Sequence, residues 1–82
     1  MENREVLEKL VEEYNTYAMS YRFYLAISSA MLSREEENVN RDKMDAIRDL
    51  IYKWFGEESV KVDFVLGKIF DVSFRWYKME VR

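Results

Sequence analysis

The fold class of this protein depends on residues 58–82, which read ESVKVDFVLGKIFDVSFRWYKMEVR. As a helix, this stretch presents one polar face, formed by Lys61, Lys68, Asp71, Arg75, Lys78 and Arg82. The helical spacing of these charges persists longer than any alternation of apolar and polar residues. An interior glycine such as Gly67 costs a helix only about 1 kcal/mol. We therefore predict a third helix here.

The alternative for the same stretch is a β-hairpin. Apolar residues alternate at positions 60–66 and again at positions 70–76, and the segment is rich in Val, Phe, Ile and Trp, which is typical of strands. A three-residue turn at 67–69 would pair Leu66 with Phe70. Against this hairpin, the glycine stands first rather than last in such a turn. The pairing would also set Lys61 opposite Arg75, and like charges in that position repel.

Two helices are predicted to precede this segment. Apolar residues recur at three- and four-residue steps over residues 3–32, and a second helical stripe covers residues 41–55. Gly56 follows directly and is expected to end the second helix. Ser33-Arg34-Glu35-Glu36 has the form of a capping box and could start the second helix at once. Residues 33–40 are nevertheless interpreted as a loop, because apolar periodicity resumes only after them. The sequence predicts one all-α domain over residues 1–82, a three-helix bundle with a long first helix; the alternative is two helices plus a C-terminal β-hairpin.

Several kinds of catalysis lack their usual residues. The chain contains neither His nor Cys, so the common general base, the thiolate nucleophile and the commonest metal ligands are missing. The two glycines do not form a phosphate-binding loop. The acids lie on predicted polar faces or near segment ends, where they are expected to be solvated; Glu35, Glu36 and Glu37 are adjacent and point in different directions on a helix. We expect no enzyme activity, no catalytic or metal site, no cofactor and no small-molecule substrate.

Composition indicates a binding protein. Of the 82 residues, 49% are hydrophobic and 16% aromatic, a large apolar content for one small core. Many charged residues and no Gln follow a trend of hyperthermophilic proteins, so a thermophilic, archaeal or viral source is one expectation. The charged N-terminus is unlike a signal peptide, and the apolar stretch 17–32 is too short and polar to span a bilayer. We expect a cytoplasmic protein without membrane contact.

The predicted first helix carries apolar and tyrosine side chains on two faces in its second half. Arg22 is the one charged residue between residues 18 and 32. A helix that is apolar on both faces is normally buried on both, here against the other helices or against a partner. The candidate protein-interface residues are Tyr14, Tyr17, Met19, Tyr21, Phe23, Ile27 and Ala30. The favoured function is a non-catalytic protein-protein interaction module, a homo-oligomer or a small accessory subunit of a larger replication, transcription or viral assembly.

A basic line in the last segment supports a second function. Lys61, Lys68, Arg75 and Arg82 repeat every seven residues, with Lys78 beside them and Trp76 and Tyr77 nearby. A line of cations with aromatic residues is suited to a nucleic-acid backbone. The net charge of −3 favours an ordinary solvated face instead. The alternative function is a small nucleic-acid-binding regulator, and a C-terminal hairpin, which would give a loosely winged-helix-like arrangement, would strengthen it.

Overall fold

The computed structural model describes residues 2–27 and 34–82, with side chains for residues 3–27 and 38–82. The elements in chain order are α1 (Glu2–Ala26), α2 (Arg34–Phe55), a 3-10 turn (Glu57–Ser59), β1 (Val60–Ile69) and β2 (Val72–Val81). The molecule measures 43 × 24 × 17 Å. Its 25-residue α1 is about 37 Å long at about 1.5 Å per residue and accounts for most of the long dimension.

The predicted all-α three-helix bundle is wrong. The last segment is an antiparallel β-hairpin of two ten-residue strands, which is the alternative that the sequence also allowed. The strand preference of its β-branched and aromatic residues outweighs the seven-residue spacing of its charges.

The register of the hairpin differs from the predicted one. Ile69 pairs with Val72, so Leu66 lies opposite Arg75 and not opposite Phe70. This register removes the charge conflict, because Lys61 lies opposite Glu80. Asp63 likewise lies opposite Lys78. Opposite charges across a strand pair contribute about 0.2–1 kcal/mol each, so charge favours the observed register.

The hairpin turn is formed by two residues that are not glycine. Phe70 has a φ of 49° and Asp71 a φ of 65°. Two-residue turns with positive φ match the twist of the flanking strands, and they usually contain Asn or Gly. A left-handed conformation costs other residues roughly 1–2 kcal/mol each, so the paired strands must hold this turn in place.

The helix boundaries also correct the sequence analysis. The first helix was predicted to reach Leu32, whereas α1 ends at Ala26; residues 28–32 lie outside the described residues. The predicted loop over 33–40 is also wrong, since α2 begins at Arg34. The sequence Ser33-Arg34-Glu35-Glu36 has the form of a capping box, which starts a helix without needing an apolar face. The predicted end of the second helix before Gly56 is confirmed, and Gly56 has a φ of 87°.

The core forms where α1 meets α2 and the hairpin. Its buried members are Leu7, Val11, Tyr14, Ala18, Met44, Ile51, Val60, Phe74, Trp76 and Met79. Near the start of the hairpin, Val60 and Met79 are buried; nearer the turn, the opposite face is buried, through Phe74 and Trp76. Two-stranded ribbons twist strongly, so the face that packs on the helices changes along the hairpin.

Helix α1 covers the β2 edge of the hairpin. The Asn15 side-chain amide donates to the Met79 carbonyl oxygen, and its oxygen accepts from the Met79 backbone N–H, both at 2.8 Å. Farther along α1, Arg22 Nε donates to the Arg75 carbonyl oxygen at 2.9 Å. These contacts satisfy backbone groups that an edge strand otherwise leaves unpaired.

Candidate nucleic-acid interface

The half of the hairpin near the turn has one face directed away from the core. We call this the outer face; it consists of Phe64, Leu66, Lys68, Ser73, Arg75 and Tyr77. These side chains share a face because side chains alternate along a strand and the register pairs Phe64 with Tyr77, Leu66 with Arg75, and Lys68 with Ser73. All six are exposed.

Two aromatic rings lie side by side at the centre of the outer face. Phe64 is 44% exposed and Tyr77 is 45% exposed, and their ring centroids are 4.5 Å apart with the planes tilted by 38°. The backbone hydrogen bonds explain this closeness. Met79 bonds to Asn15 with both its N–H and its C=O, so no backbone hydrogen bond joins Met79 to its partner Val62. Every second pair along the ladder is of this kind, and Phe64 with Tyr77 is one of them. In pairs without hydrogen bonds the Cα atoms and the side chains lie closer together.

Arg22 adds a cation from α1 to this aromatic pair. Its guanidinium carbon lies 5.2 Å from the centroid of the Phe64 ring. The hydrogen bond from its Nε to the Arg75 carbonyl oxygen fixes the side chain at this position. A cation over an exposed ring contributes about 0.5–1 kcal/mol.

The charges of the hairpin are sorted between its faces. Asp63 and Glu80 project from the face opposite the outer face. Arg75 and Lys68 project from the outer face, and Lys68 Nζ lies 3.7 Å from a carboxylate oxygen of Asp71 in the turn. Along β1 and β2, both described in full, the strand side chains of the outer face are therefore basic, aromatic, aliphatic or hydroxyl.

The residues predicted for nucleic-acid binding are divided by this arrangement. Lys68 and Arg75 lie on the outer face, whereas Lys61 and Lys78 project from the opposite face beside acids. Trp76 is only 5% exposed. The remaining member, Arg82, donates from Nε to the Val60 carbonyl oxygen at the start of the hairpin.

Sequence reasoning missed Phe64 and Arg22, and it noted Tyr77 only as lying near the basic line. Phe64, Tyr77 and Arg22 were each visible as residue types, but their meeting depends on the strand register and on the position of α1. The charges could have located the aromatic pair. The register that places Lys61 opposite Glu80 and Asp63 opposite Lys78 also places Phe64 opposite Tyr77.

Five of the predicted protein-interface residues of the first helix lie in or against the core. Tyr14 is buried there. The partly buried ones are Tyr17, Met19, Tyr21 and Phe23, with Ile27 partly buried in the turn after α1. Ala30 lies outside the described residues. Burial raises the pKa of the Tyr14 hydroxyl above its ordinary value of 10.0, and nearby Arg48 acts in the opposite direction.

Other possible sites in the described part of the chain are weaker. Among the described residues, no three His, Cys, Asp or Glu side chains are grouped closely enough to hold a metal ion. A surface groove of about 430 Å³ lies between α1 and the end of β2; its charged lining residues are Arg4, Glu8, Glu12, Lys78 and Glu80. Their mixed signs do not select a ligand of either charge. Of the helices that can be described, neither is long and apolar enough to cross a membrane.

Comparison with known proteins found no matching family model, no significantly similar curated protein and no significantly similar solved structure.

Proposed function

We propose that this protein binds single-stranded nucleic acid on the outer face of its hairpin. The observation that carries the proposal is the exposed pair of Phe64 and Tyr77 together with three cations, Arg22, Lys68 and Arg75, on one surface. Proteins that bind single strands combine aromatic rings, on which bases stack, with cations that follow the backbone. This function is the nucleic-acid alternative of the sequence analysis, with a different set of residues.

Stacking on the aromatic pair supplies the larger contribution. Each base stacked on an aromatic side chain contributes about 1–3 kcal/mol, and any base has a ring face to offer. The bases of a duplex are already stacked on one another, so Phe64 and Tyr77 favour unpaired bases. We therefore expect a preference for single strands over duplexes and little discrimination among sequences.

The three cations supply a salt-dependent contribution. Neutralising three phosphates of a single strand gives a slope of about −2 for the logarithm of affinity against the logarithm of salt concentration. The protein as a whole has a net charge of −3, which repels phosphates from its other surfaces. The outer face is thus the favourable docking surface, and a nucleic-acid ligand agrees with the cytoplasmic location expected from the sequence.

The aromatic contribution is tested by removing one ring from the site and one from elsewhere. Binding of labelled single-stranded oligonucleotides is measured by fluorescence anisotropy at low salt for Tyr77→Ala and Trp54→Ala. Trp54 is a suitable control because it lies on α2 and is 61% exposed. Tyr77→Ala should weaken binding about tenfold, as expected for the loss of about 1.4 kcal/mol of stacking, and Trp54→Ala should leave it unchanged. Equal affinities for the two variants contradict the proposal.

The protein-protein interaction function expected from the sequence stays a second proposal. The surface that favours this second function is on the hairpin and not on the first helix, where the sequence analysis expected it. It is the exposed apolar edge of β1, where Val62, Phe64 and Leu66 are all accessible.

A further inference from the structure

The two edges of the hairpin differ in the hydrogen bonding of their outward-pointing backbone groups. The Arg82 backbone N–H donates to the Ser59 carbonyl oxygen, so Ser59 and Arg82 form a hydrogen-bonded pair next to the pair of Val60 with Val81. Because hydrogen-bonded pairs alternate along an antiparallel ladder, the backbone groups of Val62 and of every second residue after it in β1 point away from β2. On the β2 edge, the outward groups of Met79 and Arg75 bond to side chains of α1.

In the part of the chain that the structure describes, the β1 edge is open over most of its length. Among the described elements, β1 packs mainly against β2 and the short 3-10 turn. Its outward-pointing backbone groups belong to residues with exposed apolar side chains, Val62, Phe64 and Leu66, and Leu66 is 67% exposed. The chain has no proline, and the pairing of β1 with β2 runs without a bulge. The edge therefore has neither of these two protections, and its exposed apolar residues suit it to pairing with another strand.

We infer that the β1 edge pairs with β1 of a second copy of this chain. The two strands run antiparallel about a two-fold axis at Phe64, and the sheet becomes four-stranded in the order β2, β1, β1 of the second copy, β2 of the second copy. In this register Phe64 lies opposite its own copy and Val62 lies opposite Leu66. All three exposed apolar positions of the edge then lie beside apolar side chains of the second copy on the same face of the sheet.

This register avoids the mismatches of the two neighbouring registers. Lys61 lies opposite Gly67 and Asp63 opposite Val65, so no like charges meet. Shifting the axis to Asp63 would place that carboxylate opposite its own copy. Shifting it to Val65 would place Val62 opposite Lys68. Of these three registers, only the one centred on Phe64 combines apolar partners at all three exposed edge positions with no meeting of like charges, and this self-complementarity favours a second copy over an unrelated strand.

The inferred dimer does not depend on the proposed function, although the two are compatible. A continuous sheet keeps the alternation of its side chains, so the outer faces of both copies lie on the same side. The dimer thereby doubles the length of the aromatic and basic surface. The dimer is tested by measuring the oligomeric state in the absence of nucleic acid, whereas the proposed function is tested by oligonucleotide binding. The failure of one proposal can therefore be distinguished from the failure of the other.

A charge placed on the edge tests the interface. The mass of the protein in solution is measured by light scattering or sedimentation over a range of concentrations for the wild type, Leu66→Lys and Leu25→Lys. Leu25 is an exposed leucine of α1 and serves as the matched control. We expect a dimer for the wild type and Leu25→Lys and a monomer for Leu66→Lys, with unchanged circular dichroism. A wild type that is monomeric throughout overturns the inference.

A cross-link tests the register. The chain contains no cysteine, so a single introduced thiol can form a disulfide only with a second copy. Opposed residues in a hydrogen-bonded antiparallel pair have Cα atoms about 5.5 Å apart, within the range of a disulfide. Phe64→Cys should therefore cross-link rapidly under mild oxidation. Leu66→Cys should not, since its copy is displaced by about 14 Å along the strands. Equal rates for the two variants contradict the proposed axis.

Discussion

Both faces of the hairpin near its turn carry aromatic residues, but the outer face is exposed and the opposite, inner face is buried. On the inner face, Phe74 and Trp76 are buried against the helices, and Trp76 packs closely on Gly67 of the neighbouring strand. On the outer face, Phe64 and Tyr77 remain exposed beside cations. A shift of one position along a strand exchanges these environments, so the role of each aromatic residue is set by its position in the alternation and not by its type.

The largest expected effect comes from removing an inner-face ring. Trp76→Ala leaves a large cavity in a small core and should lower the free energy of unfolding by about 3–5 kcal/mol. Tyr77→Ala changes an exposed position and should lower it by no more than about 1 kcal/mol. Denaturant titrations of the two adjacent variants measure the difference. Similar losses would mean that both faces are structural and would remove the contrast between them.

A smaller effect is expected at the glycine beneath Trp76. A Cβ atom added at Gly67 would lie 2.7 Å from the indole nitrogen of Trp76, closer than real contacts allow. Gly67→Ala should therefore displace the ring and destabilise the protein by about 1–3 kcal/mol. Ser73→Ala, at an exposed outer-face position, is the control and should be nearly neutral. If Gly67→Ala is as stable as the wild type in the same titration, the packing of Trp76 on Gly67 is not required.

The smallest effect concerns Tyr14 in the core and appears only at high pH. Burial raises the pKa of Tyr14 in the folded protein above its ordinary value of 10.0. Above that value the unfolded chain releases the proton while the folded chain retains it, so stability is complete below about pH 10 and falls as the pH rises further. The stability of the wild type relative to Tyr14→Phe should fall between neutral pH and about pH 11. If the difference in stability between the wild type and Tyr14→Phe does not change with pH, burial does not raise the pKa of this hydroxyl.

The sequence predicted some of these features because their signals are local. Gly56 marks the end of α2 at Phe55. The apolar stripe of the first helix predicts α1, although the stripe continues to Leu32 and α1 ends at Ala26. The hairpin was harder to predict, because charges seven residues apart in residues 61–82 imitate a helical face. Its turn at Phe70 and Asp71 carries no glycine or asparagine, so strand pairing and not turn chemistry determines the register.

The candidate site was harder to predict from the sequence than the fold was. Heptad spacing grouped Lys61 with Lys68 and Arg75, although the two-residue period of a strand places Lys61 on the other face. Arg22 comes from α1, more than forty positions before Tyr77 in the chain, and no local pattern connects them. Only the register and the packing of α1 along β2 bring these side chains together.

The measurement that tests the central claim most directly compares two cations of the same strand on opposite faces. Arg75 lies on the outer face, and Lys78 lies on the opposite face across from Asp63. Arg75→Glu and Lys78→Glu change the net charge equally, so general electrostatic attraction affects both variants alike. In anisotropy titrations with single-stranded oligonucleotides, Arg75→Glu should abolish most of the binding and reduce its salt dependence, while Lys78→Glu should retain affinity close to that of the wild type. Equal losses for both variants, or no binding by the wild type at low salt, would contradict the assignment of the outer face as a nucleic-acid interface.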